Sequence, residues 1–285
     1  MTNLLIAIAN IVENPNTDVL SQSKSSNRVN AQGDALEFYI RDIFCDSLKV
    51  SKGSRKDKIY SKNFSLIGTQ NHPPDLILRN GDAIEIKKIE SFNGGLALNS
   101  SHPKNKLHRD DPKITQACRD CEDNEWQEKD IIYAIGTIPK NTSKLKLLWL
   151  VYGDCYAAER GVYEKIINPI SEAIKLTPDI HFSEGKELAK IDAVDPLRIT
   201  NFRVRGMWHI KHPDKLFRDF AVFDASKDFA VNVVLLKEKY ISFPKKDRES
   251  LEKIKSKNFS IKDVEIKSPN NPAKLLKAKF ISYAK

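Results

Sequence analysis

The sequence predicts one α/β domain built around a mixed sheet, with a basic segment at its C-terminal end. Three observations carry that reading. Apolar residues recur at helical spacing near the start of the chain and again past its middle. Between and after these helices run stretches whose aliphatic, β-branched and aromatic residues suit buried strands. The resulting order of helix, hairpin, strands, helix and further strands contains no internal repeat, low-complexity tract or linker, so one domain over residues 1–285 is expected.

Hydrophobic residues make up 40% of the chain and charged residues 30%, which excludes a disordered or membrane class. No apolar run approaches the ~20 residues needed to span a bilayer. The opening MTNLLIAIANIVENP lacks the basic stretch of a signal peptide. Its Leu4, Leu5, Ile8, Ile11 and Val12 instead fall at helical spacing, predicting a docked helix that ends near Pro15. Four cysteines without an export signal fit a reduced, cytoplasmic location. The net charge of +9 is concentrated: Lys237 to Lys285 holds 14 Lys/Arg against 6 Asp/Glu, a net +8. Such a block favours a polyanionic partner, nucleic acid first. A solvated lysine-rich surface is the other reading.

Along the chain, SQSKSSNRVN at 21–30 is a polar loop that supplies a helix cap. AQGDALEFYIRDIF then places Ala35, Leu36, Tyr39, Ile40, Ile43 and Phe44 on one stripe, predicting a helix. Residues 49–63 read as a basic loop and 74–89 as a hairpin. SFNGGLALNSSHPKNKLHRDDPK at 91–113 is far longer than a tight connection needs, and long ordered loops tend to be functional. Strands follow at 130–138 and 146–158, a helix in GVYEKIINPISEAIKL despite Pro169, and strands in ITNFRVRGMWHI and FAVNVVLLKEKYI.

The hairpin HPPDLILRNGDAIEIKK, His72 to Lys88, carries the chemistry. Pro73 and Pro74 keep the chain extended and cannot donate to a ladder, so they mark a strand entrance. Asn80-Gly81 is a strong turn signal between LIL and AIEI. A two-residue loop would pair Asp75 with Ile86. A three-residue loop over Arg79-Asn80-Gly81, with Gly81 left-handed, pairs Asp75 with Glu85. In that register, or with a bulge near Asp75, the face of Asp75, Glu85 and Lys87 lies opposite the apolar face of Leu76, Leu78, Ile84 and Ile86.

Two adjacent carboxylates repel unless a cation sits between them, and hard oxygen ligands suit Mg²⁺, which also binds phosphate. Lys87 reaches the same place, where it can orient or deprotonate an attacking water or neutralise charge building on a phosphorane. Glu37, beside the buried stripe of the preceding helix, is a candidate third carboxylate. The plainer alternatives are an exposed charged face on an edge hairpin and, for Glu37, an i,i+4 pair with Arg41.

This combination resembles the PD-(D/E)xK nuclease superfamily: Pro74-Asp75, then Glu85-Ile86-Lys87, with an acidic helix upstream. More closely, it is similar to type II restriction endonucleases of the NgoPII type. SSNRVNAQGDALEFYIRDIF, PPDLILRNGDAIEIKKIES, LALNSSHPKNKL and DDPKITQACRDCE carry that likeness, which covers about the first 160 residues. The resemblance implies a restriction-endonuclease-like mixed sheet flanked by helices. A catalytic core at about 20–160 and a basic DNA-binding or accessory part at about 200–285 would divide the domain. It further implies Asp75 and Glu85 as metal ligands, Lys87 as the catalytic lysine and Glu37 as a helix carboxylate. The implied activity is Mg²⁺-dependent cleavage of double-stranded DNA at a GGCC-type palindrome, giving 5′-phosphates. A homodimer is expected, as is a cognate methyltransferase that protects host DNA. A structure-specific repair or junction-resolving nuclease stays open beside this, as does a non-catalytic basic DNA-binding protein.

Asn99, Ser100, Ser101, Lys104, Lys106 and Arg109, on the loop after the hairpin, have the chemistry for phosphates and base edges, with an ordinary polar loop as the alternative. Cys118-Arg-Asp-Cys121 with His102 and His108 upstream admits a zinc site. A single CxxC without a matching pair points rather to two buried thiols at a helix start. Trp208 in RVRGMWHIKHP, flanked by Arg203 and Arg205, reads as a core tryptophan on a strand, with an approach to DNA as the alternative.

Overall fold

The structure, a computed structural model, describes residues 1–19, 28–51, 53–69, 72–92, 94–98, 100–177, 182, 187–221, 224 and 226–285. Its helices are α1 (Leu4–Glu13), α2 (Arg28–Cys45), α3 (Ser54–Asn63), α4 (Gln116–Arg119), α5 (Arg160–Lys175), α6 (Pro213–Leu216), α7 (Lys237–Ser242) and α8 (Lys245–Glu252). The strands of the first half are β1 (Phe64–Thr69), β2 (His72–Leu78), β3 (Ala83–Ile89), β4 (Leu96–Ala97), β5 (Lys106–His108), β6 (Glu128–Thr137) and β7 (Leu147–Tyr152). Those of the second half are β8 (Ala189–Ile191), β9 (Phe202–Val204), β10 (His209–Ile210), β11 (Ala230–Leu236), β12 (Phe259–Lys267) and β13 (Leu275–Ala284).

Nine of these strands form one mixed sheet in the order β1-β2-β3-β6-β7-β11-β13-β12, with β5 attached to β6. β3 and β6 run parallel, as do β7 and β11. The central strands explain themselves: all six residues of β7, LLWLVY, are buried, because a strand covered on both faces reads as a continuous apolar run. The apolar stripe of α2 packs against this sheet. Ala35, Leu36, Tyr39, Ile40, Ile43 and Phe44 are all buried, and at ~1.5–3 kcal/mol for each large side chain that burial outweighs the weak intrinsic propensity of its β-branched and aromatic residues. Gly136 on β6 is what lets the helix come close, since a Cβ there would lie 2.6 Å from a Leu36 methyl. α1, capped by the Asn3 side chain on the Leu5 and Ile6 amides, packs on α2.

Several expectations change, among them the strand read through FAVNVVLLKEKYI, which ends at Leu236 and gives way to α7. Residues 54–63 form α3 rather than a loop. Lys56 and Tyr60, four apart, turn inward together and both donate to the buried Asp42 carboxylate at 2.6 Å, which also accepts from Ser47 Oγ. Basic composition concealed that inward face. The stretch 199–210 is two short strands, β9 and β10, which pair with β8 and β4 in separate ribbons. The basic C-terminal segment is more than an appendage: β13 pairs with β11, and β12 makes the edge opposite the hairpin. Charged residues along β12 suit an edge that must not recruit another strand. The polar loop expected at 21–30 lies largely outside the described residues; α2 already includes Arg28.

Candidate active site

The hairpin adopts the three-residue register: Leu76 pairs with Ile84 and Ile77 with Ala83, and the Leu78 amide donates to the Asp82 carbonyl across the loop. The residue in the left-handed region is Asn80 (φ 53), not Gly81. Asparagine tolerates that conformation, so the turn signal was right and its glycine misassigned. Asp75 therefore comes opposite Glu85, and β1 turns the hairpin into a meander at the sheet edge.

The ladder between β2 and β3 stops at Asp75. Leu78–Asp82 is a hydrogen-bonded pair, so by alternation the Ile86 amide would next donate to the Pro74 carbonyl. It donates instead to Asp75 Oδ2 at 2.5 Å. Pro74 has no amide to return, and β2 peels away there. β1 permits that departure through Gly68, where a Cβ would overlap the Pro74 carbonyl oxygen.

Glu85 gives one oxygen to Lys87, whose ammonium lies 2.6 Å from Oε1. Its other oxygen, Oε2, is buried and has no hydrogen-bond partner among the described residues. Burial and then the neighbouring Glu85 charge push the Asp75 carboxyl up to about 7, against the opposing pull of Lys87 and the Ile86 amide. Burial alone would lower the Lys87 ammonium, but the charges of Glu85, Asp75 and Glu37 overcome it and hold the group above its usual range. Glu37 pairs with Arg41 at 2.9 Å, one helical turn on. Its charge is felt at Lys87, yet the side chain does not line the cleft. Burial raises its own carboxyl in spite of Arg41.

Asp75, Glu85 and Lys87 open into a cleft of about 560 Å³, whose walls include Ser100, Ser101, Lys113, Glu187 and Arg205. Of the proposed DNA contacts, Ser100 and Ser101 thus reach the cleft, and Asn99 lies outside the described residues. Lys104 does not offer its charge: the side chain is buried and its ammonium is spent on Asp111. Lys106 pairs with Glu128 and Asp130, and Arg109 with Glu125 and Asp120. Sequence reasoning overlooked these carboxylates because they come from β6 and from the turn after α4. It also missed Lys113 and Glu187 as cleft residues, and named Arg205 only as a neighbour of Trp208. No local signal marks them; the loop and the β8–β9 ribbon converge only in three dimensions.

Cys118 is buried at α4, where Thr115 caps the helix, and burial pushes its thiol up to about 12. His102 stacks on Tyr163, and His108 pairs along β5 with Glu128. Trp208 is half-buried, edge-on to both Tyr163 and His102. Among the described residues no three His, Cys, Asp or Glu side chains gather as a metal cluster. At the hairpin two carboxylates, Asp75 and Glu85, line the cleft together.

None of the described helices is long and apolar enough to cross a membrane. No solved structure matches the chain. The chain is 45% identical over 281 residues to the type II restriction enzyme NgoPII of Neisseria gonorrhoeae, covering 99% of each protein. The relationship thus extends well past residue 160, into the second half of the sheet. The family model for NgoPII restriction endonucleases matches residues 2–267, and the chain belongs to the NgoPII restriction endonuclease family.

Proposed function

We propose that this restriction endonuclease hydrolyses phosphodiesters of duplex DNA with Asp75 and Glu85 holding Mg²⁺ and Lys87 acting on the attacking water. The observation that carries the reading is Glu85. One of its oxygens holds Lys87; the other is buried without a partner among the described residues, and the same cleft is lined by a second carboxylate that is itself hard to ionise. A hard divalent cation satisfies both, and when bound it supplies positive charge against the phosphate oxygens.

Lys87 is the informative partner. In the metal-free site the carboxylates of Glu85, Asp75 and Glu37 hold Lys87 above its usual range, as an ammonium and not a base. Of its two candidate roles, orienting the water and neutralising charge that builds on phosphorus is the one its surroundings support. Glu37 contributes as a charge near Lys87, anchored by Arg41, rather than as a ligand. Ser100, Ser101, Lys113 and Arg205 are the cleft groups suited to positioning the duplex.

The GGCC-type target and the 5′-phosphate products are carried over from the family resemblance. A palindrome presents the same sequence on both strands about a two-fold axis, and one chain carries one hairpin, so cutting both strands together calls for a homodimer. A cognate methyltransferase would protect host sites with no direct contact implied. Digestion of plasmid DNA with Mg²⁺ tests the reading: discrete fragments with 5′-phosphate ends at GGCC sites are expected. Asp75→Ala and Lys87→Ala should abolish cutting while leaving DNA binding largely intact. Near-wild-type cutting by both variants would overturn the assignment.

A further inference from the structure

α5 is a 16-residue helix without one buried residue. Its inner side is held by Tyr163, which meets His102 and Trp208, and by Ser171, whose hydroxyl donates to the Leu188 carbonyl. By helical spacing, Val162, Ile166, Pro169, Ile170, Ala173 and Leu176 form a stripe turned the other way. Val162, Ile166, Ile170 and Leu176 are 49, 58, 46 and 82% exposed. Four of the fourteen large hydrophobics exposed among the described residues thus lie on this one helix and its C-cap. Concentrated apolar surface marks a docking face.

We propose that the α5 stripe is where a second copy of this chain docks, helix against antiparallel helix; this rests on the reading that two chains act on one duplex. Charge favours that occupant. Each copy carries a net +9, so a face with no charge of its own is where two copies meet with least repulsion. The stripe has none, and Lys165 and Glu172 border it on one side. With the two-fold axis crossing the stripe midway between Ile166 and Ile170, Ile166 faces the partner's Ile170 and Lys165 reaches the partner's Glu172, and symmetry repeats both contacts. Position favours it too. Ile167, Asn168 and Ser171 of α5 line a cavity that shares Ser100, Lys113, Glu187 and Gly206 with the catalytic cleft. Pairing through α5 therefore sets two cleavage sites about one axis.

A helix of this length is ~24 Å long and ~10 Å wide, a footprint of roughly 250 Å² against the ~800 Å² per partner of a stable interface. The pairing is accordingly completed on DNA and is measured there. Multi-angle light scattering on a duplex carrying the site that the wild type cuts, with Ca²⁺ replacing Mg²⁺, reads the number of 32.4 kDa chains bound. Two chains for the wild type and one for the Ile166→Glu/Ile170→Glu variant are expected. In cleavage assays the variant should accumulate nicked circle, with second-strand cutting slowed about ten-fold or more. Both positions are exposed, so an unchanged melting temperature is expected. Two chains bound by the variant would overturn the α5 face and leave the dimer reading standing. One chain bound by the wild type would overturn the dimer reading, and the proposal with it.

Discussion

The Ile86 amide is held by the Asp75 carboxylate at 2.5 Å, in the place a backbone carbonyl would occupy if the ladder continued. The bond draws Asp75 in beside Glu85, so the break in pairing and the meeting of the two acids are one event. It also confines the carboxyl to a buried position next to another negative charge, which raises it to about 7.

That confinement predicts a stability cost in the metal-free protein. A carboxyl with a raised folded value keeps its proton as pH rises from about 4, where the unfolded chain has lost it. Stability therefore falls between about pH 4 and 7, and the full cost is present above 7. Asp75→Asn should be more stable than the wild type by on the order of 1–3 kcal/mol at pH 8 in chelator, a gain that fades toward pH 4. Mg²⁺ should raise the melting temperature of the wild type and not of the variant. Equal melting curves at pH 8 would contradict the account.

Gly68 gives a second test. A Cβ there overlaps the Pro74 carbonyl, which belongs to backbone and cannot swing aside. Gly68→Ala should displace the entrance of β2, loosen the Asp75–Ile86 bond and lower cleavage by an order of magnitude or more, at a stability cost of ~1–3 kcal/mol. Unaltered activity would show that the close approach does not position Asp75.

Much of this architecture was legible in sequence wherever one residue pattern met one physical demand. The α2 stripe, the apolar runs of β6, β7 and β11, and the turn at Asn80-Gly81 are of that kind. The hairpin register was legible only as a choice, settled by the Leu78–Asp82 pairing. What escaped depends on distant partners. Lys56 looks like one basic residue among several until Asp42 is beside it, and Lys104 looks like a phosphate contact until Asp111 takes its charge. Ser100 and Arg205 converge on the cleft from segments about a hundred residues apart, which no local periodicity encodes.

The Lys104–Asp111 pair predicts a pH signature. Burial alone would raise the Asp111 carboxyl, but the Lys104 ammonium and the Lys113 amide hold it below its ordinary value. A depressed value contributes stability that is present above the unfolded pKa and is lost as pH falls through the folded one. Lys104→Met strands a buried carboxylate and should cost ~3–5 kcal/mol at pH 7. The deficit should shrink as pH falls through the ordinary carboxylate range and close once Asp111 is protonated in both proteins, which in the wild type comes below that range. A variant that melts like the wild type at pH 7 but binds DNA weakly would return Lys104 to the DNA-contact set.

For Cys118 and Cys121, burial raises both thiols, which disfavours the thiolate that zinc requires. A Cys118→Ser/Cys121→Ser variant should stay folded, and purified wild type should contain less than stoichiometric zinc by elemental analysis. One tightly held zinc per chain would overturn this.

The last prediction separates cations that face DNA from cations already spent. At Glu187, one carboxylate is shared by Arg203 and Arg205, at 2.8 and 2.6 Å, leaving a surplus positive charge on the wall of the cleft that Asp75, Glu85 and Lys87 line. Arg205 is 60% exposed, so leaving Glu187 for a phosphate costs little. At Lys106 the balance is reversed: one ammonium lies between Glu128 and Asp130. Arg109 likewise lies between Glu125 and Asp120. Each phosphate contact contributes about 0.9 to the slope of log affinity against log salt. Arg205→Ala should therefore flatten that slope by roughly 0.9 and weaken binding most at low salt. Lys106→Ala and Arg109→Ala should leave the slope unchanged. Binding isotherms between 50 and 200 mM salt, the range over which such contacts change affinity by orders of magnitude, make the distinction. A flattened slope for Lys106→Ala with none for Arg205→Ala would move the DNA path off the β8–β9 ribbon and onto β5.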